Sequence, residues 1–159
     1  MWKKVKPYLI SILIALAVGG LSAWITSADM EFYQNRITHP PLAPPPILFP
    51  IVWSVLYILM GIGSAIVWNN RSTAPRLAAD ALTVYGISLA VNFAWSILFF
   101  KLHVFLFAFI WLILLWLLIL AVILLFRKVR PVAGYLQIPY LLWVTFAGYL
   151  NCAIWLLNK

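Results

Sequence analysis

The sequence predicts an all-α membrane protein, a single domain over residues 1–159 built as a bundle of five transmembrane helices. First, 66% of its residues are hydrophobic and only 9% are charged, whereas soluble domains carry about 25% charged residues. Second, five apolar segments each approach or exceed the roughly 20 residues that a helix needs to cross a bilayer. Third, the basic residues cluster on one side of the predicted membrane. These features exclude a water-soluble domain.

The five predicted spans are separated by charged or helix-breaking connections. They cover residues 8–27, 46–68, 80–100, 104–126 and 133–157. The connection over residues 28–45 is long, and the others, such as NNRSTAPR and RKVRP, are short. The long first loop is therefore the connection that could cover one end of the bundle.

The first span begins with basic residues and continues into an apolar run, which is also the pattern of a signal peptide. The run is long enough to cross the membrane. It also places Ala15, Gly19 and Ala23 four residues apart, and such a small-residue stripe allows close helix packing. We therefore predict a retained membrane helix, with a signal peptide as the alternative.

The basic residues predict the orientation, because Lys and Arg are enriched on the cytoplasmic side of membrane proteins. Eight of the eleven lie on the N-terminal side: Lys3, Lys4, Lys6, Arg71, Arg76, Arg127, Lys128 and Arg130. The other three, on the opposite side, are Arg36, Lys101 and Lys159. We expect the N-terminus inside and the C-terminus outside, as five spans require. This distribution of basic residues fits a bacterial cell membrane best, and nothing resembles a mitochondrial transit peptide.

The second span is preceded by an unusual concentration of proline. Residues 40–50 contain six of the ten prolines in the chain. Proline is tolerated in the first turn of a helix, so the prolines at 44–46 are predicted to start the span and Pro50 to bend it. Two hypotheses remain open: a rigid junction between loop and helix, or a stiff lid over a cavity.

Three spans each present a face that combines aromatic with small or polar side chains at helical spacing. The second span contributes Pro46, Phe49, Pro50, Trp53, Tyr57, Met60 and Ser64. The third contributes Tyr85, Ser88, Asn92, Trp95 and Phe99, and the fifth contributes Pro139, Trp143, Phe146, Ala147, Leu150 and Ile154, with Asn151 at the edge. A mid-membrane amide such as Asn92 needs partners. An interhelical hydrogen bond would suffice, but three such faces together favour a pocket for a large flat ligand.

Two further helix surfaces, on the fourth and third spans, lead to predictions about what each helix packs against. The fourth span is apolar on all sides, which predicts a lipid-facing wall that includes Trp111. On the third span, Gly86, Ala90 and Ala94 form a small-residue stripe roughly opposite Asn92. Such stripes permit close contact between helices, and we predict a homodimer through this one, with internal packing as the alternative.

No arrangement typical of an enzyme, metal centre or coupled transporter can be assembled. The single cysteine, Cys152, excludes an internal disulfide. His39 and His103 lie at span ends on the outer side, where ligation of haem iron is the less favoured hypothesis. All three acids also lie at span ends: Asp29, Glu31 and Asp80. An ion-coupled carrier usually has charges within the membrane, so we predict that the protein is not a coupled pump. We also predict no cofactor, no metal and no nucleic-acid partner.

Three stretches resemble a known family. PPPILFPIVWSVLYILMG (44–61), NFAWSILFF (92–100) and PYLLWVTFAGYLNCAIWLLN (139–158) are similar to the second, third and fifth helices of bacterial-type members of the translocator protein family (TspO, the peripheral benzodiazepine receptor). The resemblance covers nearly the whole chain. It implies a five-helix bundle, usually dimeric, whose first loop lids a pocket for porphyrins, haem-pathway intermediates and isoquinoline or benzodiazepine ligands.

The resemblance also implies which residues bind and what the protein does. The pocket residues carried over are Trp53, Asn92, Trp95, Trp143, Phe146 and Ala147, with Tyr33 reaching in from the loop. Pro46 and Phe49 join them from the face of the second span. Sensing, sequestration or transport of the ligand is the expected role. The alternatives are light- and oxygen-dependent porphyrin breakdown, for which Trp53 and Trp143 are the candidates, and a structural assembly protein.

The chain departs from the family pattern at two places. Leu42 stands in the loop where many relatives have a tryptophan before the Pro-Pro pair, which weakens the expected loop contacts to a porphyrin. In animal relatives, a tyrosine and then an arginine follow the Leu-Asn pair of the fifth helix as a proposed cholesterol motif. Here Cys152 follows, and no basic residue precedes Lys159, so cholesterol is not a predicted partner.

Overall fold

A computed structural model describes residues 1–159 as helices joined by short connections and one long loop, with no β-strand. The helices are α1 (Trp2–Thr26), α2 (Met30–Arg36), α3 (Leu48–Asn69), α4 (Pro75–Ser96), α5 (Phe105–Val129), α6 (Pro131–Tyr135) and α7 (Ile138–Leu157). A 3₁₀ turn, Ser27–Asp29, joins α1 to α2, and a π-helical turn, Ile97–Lys101, extends α4.

Five stretches are long and apolar enough to cross a membrane. They are α1 with α2, α3, α4 with its π-helical turn, α5, and α6 with α7. The predicted fold class is therefore confirmed, and the chain is a multi-pass membrane protein. Several spans extend beyond the predicted bounds: the first begins at Trp2 and the third at Pro75, because a helix can continue through basic residues at the membrane edge and can start on a proline.

The helices α1 and α3 lie very close together. A Cβ atom added to Gly61 of α3 would lie 2.6 Å from the backbone Cα of Ile12 in α1. A Cβ at Gly19 would collide with the ring of Tyr57. The small-residue stripe predicted in the first span thus packs on α3 through Gly19 and the fully buried Ala15, whereas Ala23 is exposed.

The helix α5 differs from its prediction. It packs against α4, α6 and α7 and buries Leu115, Ile119 and Phe126 completely, while Ile110 and Leu117 remain exposed. The prediction of a lipid-facing wall is therefore wrong for half of the helix. Its cause is physical: lipid tails are as apolar as leucine, so composition alone cannot distinguish a side that faces lipid from one that faces protein.

The prolines before α3 lie just outside the helix. The helix begins at Leu48, and the carbonyl of Pro46 accepts a hydrogen bond from the Phe49 amide at 3.3 Å in the turn that leads into it. Pro50 is the third helical residue, where an N–H has no intrahelical partner. It therefore removes no helical hydrogen bond, and the expected reason for a bend at Pro50 is absent.

Candidate functional site

The inward face of α4 carries the hydrogen bonds that join the bundle at mid-membrane. All five predicted residues of this face, Tyr85 to Phe99, are buried. The side-chain amide of Asn92 donates to the Tyr57 hydroxyl at 3.0 Å, which links α4 to α3. The indole of Trp95 donates to the side-chain oxygen Oδ1 of Asn151 at 3.1 Å, which links α4 to α7. The interhelical hydrogen bond expected as one explanation of Asn92 is therefore present.

The helices α3 and α7 meet through aromatic side chains, while their backbones stay apart. The rings of Phe49 and Trp143 lie 6.0 Å apart between centroids, and those of Trp53 and Tyr140 are also 6.0 Å apart. We call these four residues the α3–α7 seam. Trp53 also stacks on Tyr57 at 5.6 Å, so the seam continues inward to the partner of Asn92.

A cavity of about 500 Å³ lies between α3 and α7 beside this seam and shares Trp143 with it. It is lined by Ile51, Val52, Val55, Leu56, Leu59, Pro139, Leu142, Trp143 and Phe146. Ile51, Val55 and Leu142 are exposed on the outside of the bundle. The cavity therefore opens sideways, in the direction of the lipid, and its volume is in the range of small-molecule sites.

The loop helix α2 closes one end of the bundle with Tyr33, and this end, which carries the first loop and the end of α7, is called the outer end here irrespective of membrane orientation. This side chain is 5% exposed. Its ring lies 5.2 Å from Phe100, 5.8 Å from Phe99 and 6.5 Å from Phe49, and edge-to-face or tilted contacts at these distances are favourable. Tyr33 thus packs inward from the first loop, as expected.

Polar side chains of α7 and its C-terminal end hold the same loop in place. Asn158 accepts from the Thr38 amide at 2.8 Å and donates to the Thr38 carbonyl at 3.0 Å. The Tyr149 hydroxyl donates to the Pro41 carbonyl at 2.7 Å. We call these four residues the loop latch. The latch was not predicted from the sequence, where its only signal is a polar residue, Asn158, after an apolar helix.

The predicted site residues fall into three groups by burial. Tyr33, Asn92, Trp95 and Ala147 are buried, whereas Phe49, Trp53, Trp143 and Phe146 are half-buried along the seam. Pro46 is exposed, in the turn before α3. The structure brings Phe49, Trp143 and Phe146 into ring contact.

Two aromatic side chains were misjudged from the sequence. Tyr140 is buried against Trp53 but was not predicted as a site residue. It could have been recognised from its position three residues before Trp143, because residues at that spacing lie on the same face of a helix. Trp111 was assigned to lipid. It is half-buried, and its indole donates to the Val91 carbonyl at 2.8 Å, so it connects α5 to α4.

The histidines both lie at the outer end of the bundle. The Nε2 atom of His39 is 3.0 Å from the Tyr33 carbonyl oxygen. The ring of His103 lies 4.2 Å from that of Phe32. No group of three or more His, Cys, Asp or Glu residues is arranged to hold a metal ion. The chemistry offered by the site is therefore aromatic stacking, apolar burial and hydrogen bonding by neutral groups.

The stripe of small residues on α4 points away from the bundle. Gly86 and Ala90 are exposed, and Ala94 is half-buried. No atom lies within 4 Å of the Cβ position at Gly86. The stripe is therefore not used for close packing within the chain at Gly86.

Comparison with known proteins places these features in a family. Residues 11–156 match the profile of the TspO/MBR family. Protein CrtK of Rhodobacter capsulatus is 37% identical over 145 residues, which cover 91% of this chain and 89% of that protein. The tryptophan-rich protein TspO of Chlorobaculum tepidum is 34% identical over 158 residues, 99% of each chain.

An animal relative shows the same match. The translocator protein of Homo sapiens is 31% identical over 134 residues, which cover 84% of this chain and 79% of that protein. The match extends from the first span to the end of α7 and includes the α3–α7 seam and the inward face of α4. The chain therefore belongs to the TspO/MBR family.

Proposed function

We propose that this protein is a membrane receptor or translocator that binds porphyrins and other large, flat, lipophilic ligands at the α3–α7 seam, beneath the first loop. Membership of the TspO/MBR family supports the general role. The observation that carries the proposal is the seam itself, where aromatic rings of two helices meet beside a cavity of about 500 Å³. Tryptophan faces and a porphyrin ring stack well because both are large, flat and apolar.

Ligand enters the seam from the side. The cavity opens between Ile51, Val55 and Leu142 on the lipid face, whereas the outer end is closed by Tyr33 and the loop latch. A lipophilic ligand is concentrated in the bilayer before it binds. The ring then stacks between Trp53 and Trp143, and the small side chain of Ala147 leaves room behind it.

The charge distribution decides how a porphyrin is oriented. No buried residue of the chain is charged, and an unpaired carboxylate is costly to place in an apolar interior. The carboxylates of a porphyrin therefore stay at the outer edge of the site. Arg36 and Lys101 are exposed at that end, in the last turn of α2 and in the π-helical turn.

The test is a titration in the dark followed by illumination. Full-length protein in detergent is mixed with protoporphyrin IX, and we expect saturable quenching of tryptophan fluorescence. Quenching that rises linearly without saturation would contradict the proposal and favour a structural membrane protein. An absorption spectrum that survives illumination supports a receptor or translocator. A light-dependent loss of porphyrin absorbance that requires Trp53 or Trp143 would instead assign breakdown chemistry to the seam.

We also infer that the N-terminus is inside and the C-terminus outside, from the excess of basic residues on the N-terminal side. A reporter enzyme that works only after export is fused behind Lys159. We expect it to be active. The same fusion with a reporter that works only in the cytoplasm should be inactive, and the reverse result would overturn the orientation.

A further inference from the structure

A groove lies on the outside of the bundle between α5 and α7, and it shares no lining residue with the cavity beside the seam. Its deeper part is a cavity of about 510 Å³. The buried side chains of Leu112 and Val144 form the floor, whereas Ile113 and Leu156 at the edges are 47% and 49% exposed. In a membrane protein, a groove with this cross-section opens toward lipid.

The groove continues to the outer end of the bundle. The deeper cavity is bordered by residues between 109 and 116, and a second cavity of about 480 Å³ is bordered by residues between 103 and 110, so the two adjoin. Together they follow α7 from Val144 to Asn158, one residue beyond its end. This distance is about 20 Å at 1.5 Å per helical residue. A bilayer with its headgroups is about 40–45 Å thick, so the groove is as long as one leaflet.

The deeper part of the groove is suited to a hydrocarbon chain. Its polar side chains already have partners within the protein: the indole of Trp116 donates to the Thr145 hydroxyl at 2.9 Å, which itself donates to a backbone carbonyl of α7 at 2.8 Å. The Tyr149 hydroxyl donates to the Pro41 carbonyl at 2.7 Å. The remaining polar group is the thiol of Cys152, which is only a weak donor.

The outer part of the groove is polar and lies beside a cation. His103 and Asn158 line it. The Nζ atom of Lys159 is 5.6 Å from the centroid of the Trp155 ring, which also lines this part. Lysine binds phosphate as a point charge, and tryptophan is typical of the membrane–water interface. The groove is thus apolar at mid-membrane and polar with a positive charge at the membrane edge, which is the complement of a phospholipid.

We propose that the α5–α7 groove binds one phospholipid, with an acyl chain over Leu112 and Val144 and with its phosphate beside Lys159. The lipid comes from the leaflet at the outer end of the bundle. The site lies apart from the seam and does not rest on the function proposed above.

The bound lipid also acts on the first loop. Tyr149 lines the deeper part of the groove and Asn158 the outer part, and both belong to the loop latch. Their bonds to Pro41 and Thr38 lie at the protein surface. A lipid packed over these side chains excludes water, and hydrogen bonds are stronger where the local dielectric constant is low. The phospholipid therefore strengthens the closure of the loop.

Gly148 provides the variant that tests the deeper part of the groove. A Cβ atom at this position would meet only Leu112, at an ordinary contact distance of 3.8 Å, so Gly148→Phe adds a ring to the groove without pushing on a backbone. Lipid-free, full-length protein in detergent is titrated with palmitoyl-oleoyl phosphatidylglycerol, and native mass spectrometry counts the bound lipids. The wild type should bind one lipid saturably, and Gly148→Phe should bind it at least about tenfold more weakly, because the ring takes the place of the chain.

The matched control is Gly20→Phe, at a position on α1 with no atom within 4 Å of its Cβ. It should bind phosphatidylglycerol like the wild type. Equal binding by the wild type and Gly148→Phe would overturn the site, and so would equal losses in Gly148→Phe and Gly20→Phe.

Lys159→Gln tests the polar part of the groove. This variant should bind phosphatidylglycerol about threefold more weakly, because one exposed charge contact is lost. Its binding of dioleoylglycerol, which has no phosphate, should be unchanged. Lys3→Gln at the opposite end of the bundle is the control and should alter neither. Equal binding of both lipids by the wild type would overturn the assignment of the phosphate to Lys159.

Hydrogen exchange tests the effect on the loop. Saturation with phosphatidylglycerol should slow exchange in the peptide over residues 37–42 about threefold in the wild type and not in Gly148→Phe. Lipid binding without this change would overturn the link to the latch. Release of the lipid by protoporphyrin IX would assign the groove to the porphyrin and overturn the proposal. Trp143→Ala should still bind the lipid, so a failure of the seam as a porphyrin site is distinguishable from a failure of the groove.

Discussion

The two sides of α3 are built in opposite ways. Toward α1, glycine brings the helices so close that Gly61 lies against the backbone of Ile12. Toward α7, the backbones have few close approaches and the contact is made by rings such as Phe49 and Trp143, whereas Gly63 lies close to the Ala133 carbonyl of α6. Helices in a bilayer gain little from the hydrophobic effect when they associate, so close van der Waals packing decides which contacts are strong. The side toward α1 is therefore the more tightly packed side of α3, here called the fixed side, and we expect any opening of the bundle to occur at the seam.

The fixed contacts also divide the bundle into two parts. The most extensive contacts lie within α1 with α3 and within α4, α5, α6 and α7, and smaller contacts of α1 with α4 and of α3 with α4, α5 and α6 join the two groups. The bond from Asn92 to Tyr57 joins the parts at mid-membrane, and the loop latch holds α7 to the loop that leads into α3.

The largest expected effect is on the fixed side of α3. In Gly61→Leu, the new side chain would meet the backbone of Ile12, which cannot move without displacing α1. Overpacking of this kind costs about 3 kcal/mol, which corresponds to a fall of about 6–12 °C in the unfolding midpoint. Thermal unfolding of the purified protein in detergent measures it.

The matched control for that substitution is Gly20→Leu in α1. No atom lies within 4 Å of the Cβ position at Gly20, and the residue faces outward. We expect no loss of stability. Equal losses in Gly61→Leu and Gly20→Leu would show that glycine-to-leucine changes are harmful in general and that the α1–α3 contact is not special.

The next effect is on the seam. Trp53→Ala and Trp143→Ala should each weaken protoporphyrin binding about tenfold or more, because the stacking and burial of one aromatic wall is worth at least about 1.4 kcal/mol. Fluorescence titration measures the dissociation constant. Trp24→Ala is the control, since Trp24 is 74% exposed on α1. Trp111 is not a suitable control, because its indole donates a hydrogen bond to the Val91 carbonyl. Equal losses at Trp24 and Trp143 would remove the assignment of the seam as the binding site.

The sequence predicted those parts of the molecule that depend on local pattern. Hydropathy located the five spans, and helical periodicity found the inward face of α4, including Asn92 and Trp95. It could not predict which side of α5 is buried, because a uniformly apolar helix carries no periodic signal. The bond between Thr38 and Asn158 was equally out of reach, since it joins residues 120 positions apart. Contacts of that kind depend on how the helices assemble.

A smaller effect is expected at the loop latch. Asn158→Ala removes both bonds to Thr38 and leaves the Tyr149–Pro41 bond as the only hydrogen bond of the latch. Loss of about 1.4 kcal/mol of local stability should speed hydrogen exchange of the Thr38 amide about tenfold. Mass spectrometry of the peptide over residues 37–42 measures this rate.

The control for the latch is an asparagine at the other end of the bundle. The side chain of Asn69 donates to the Lys4 carbonyl at 3.0 Å and so joins α3 to α1. Asn69→Ala should leave exchange in the 37–42 peptide unchanged. If Asn158→Ala also left it unchanged, the loop would be held by the packing of Tyr33, and the latch would have no role in closing the outer end.

The smallest effect on ligand binding is expected at the outward stripe of α4, which has the composition of the fixed side of α3 but no close neighbour at Gly86. We propose that a second copy of the chain packs there, because small residues allow two helices to approach closely. Gly86→Leu combined with Ala90→Leu should give monomers by light scattering in detergent. Their affinity for protoporphyrin should match that of the wild type, since the stripe lies away from the buried face that holds Asn92. A dimer that persists in this variant would place the interface elsewhere. Monomers that no longer bind would mean that the site needs both copies.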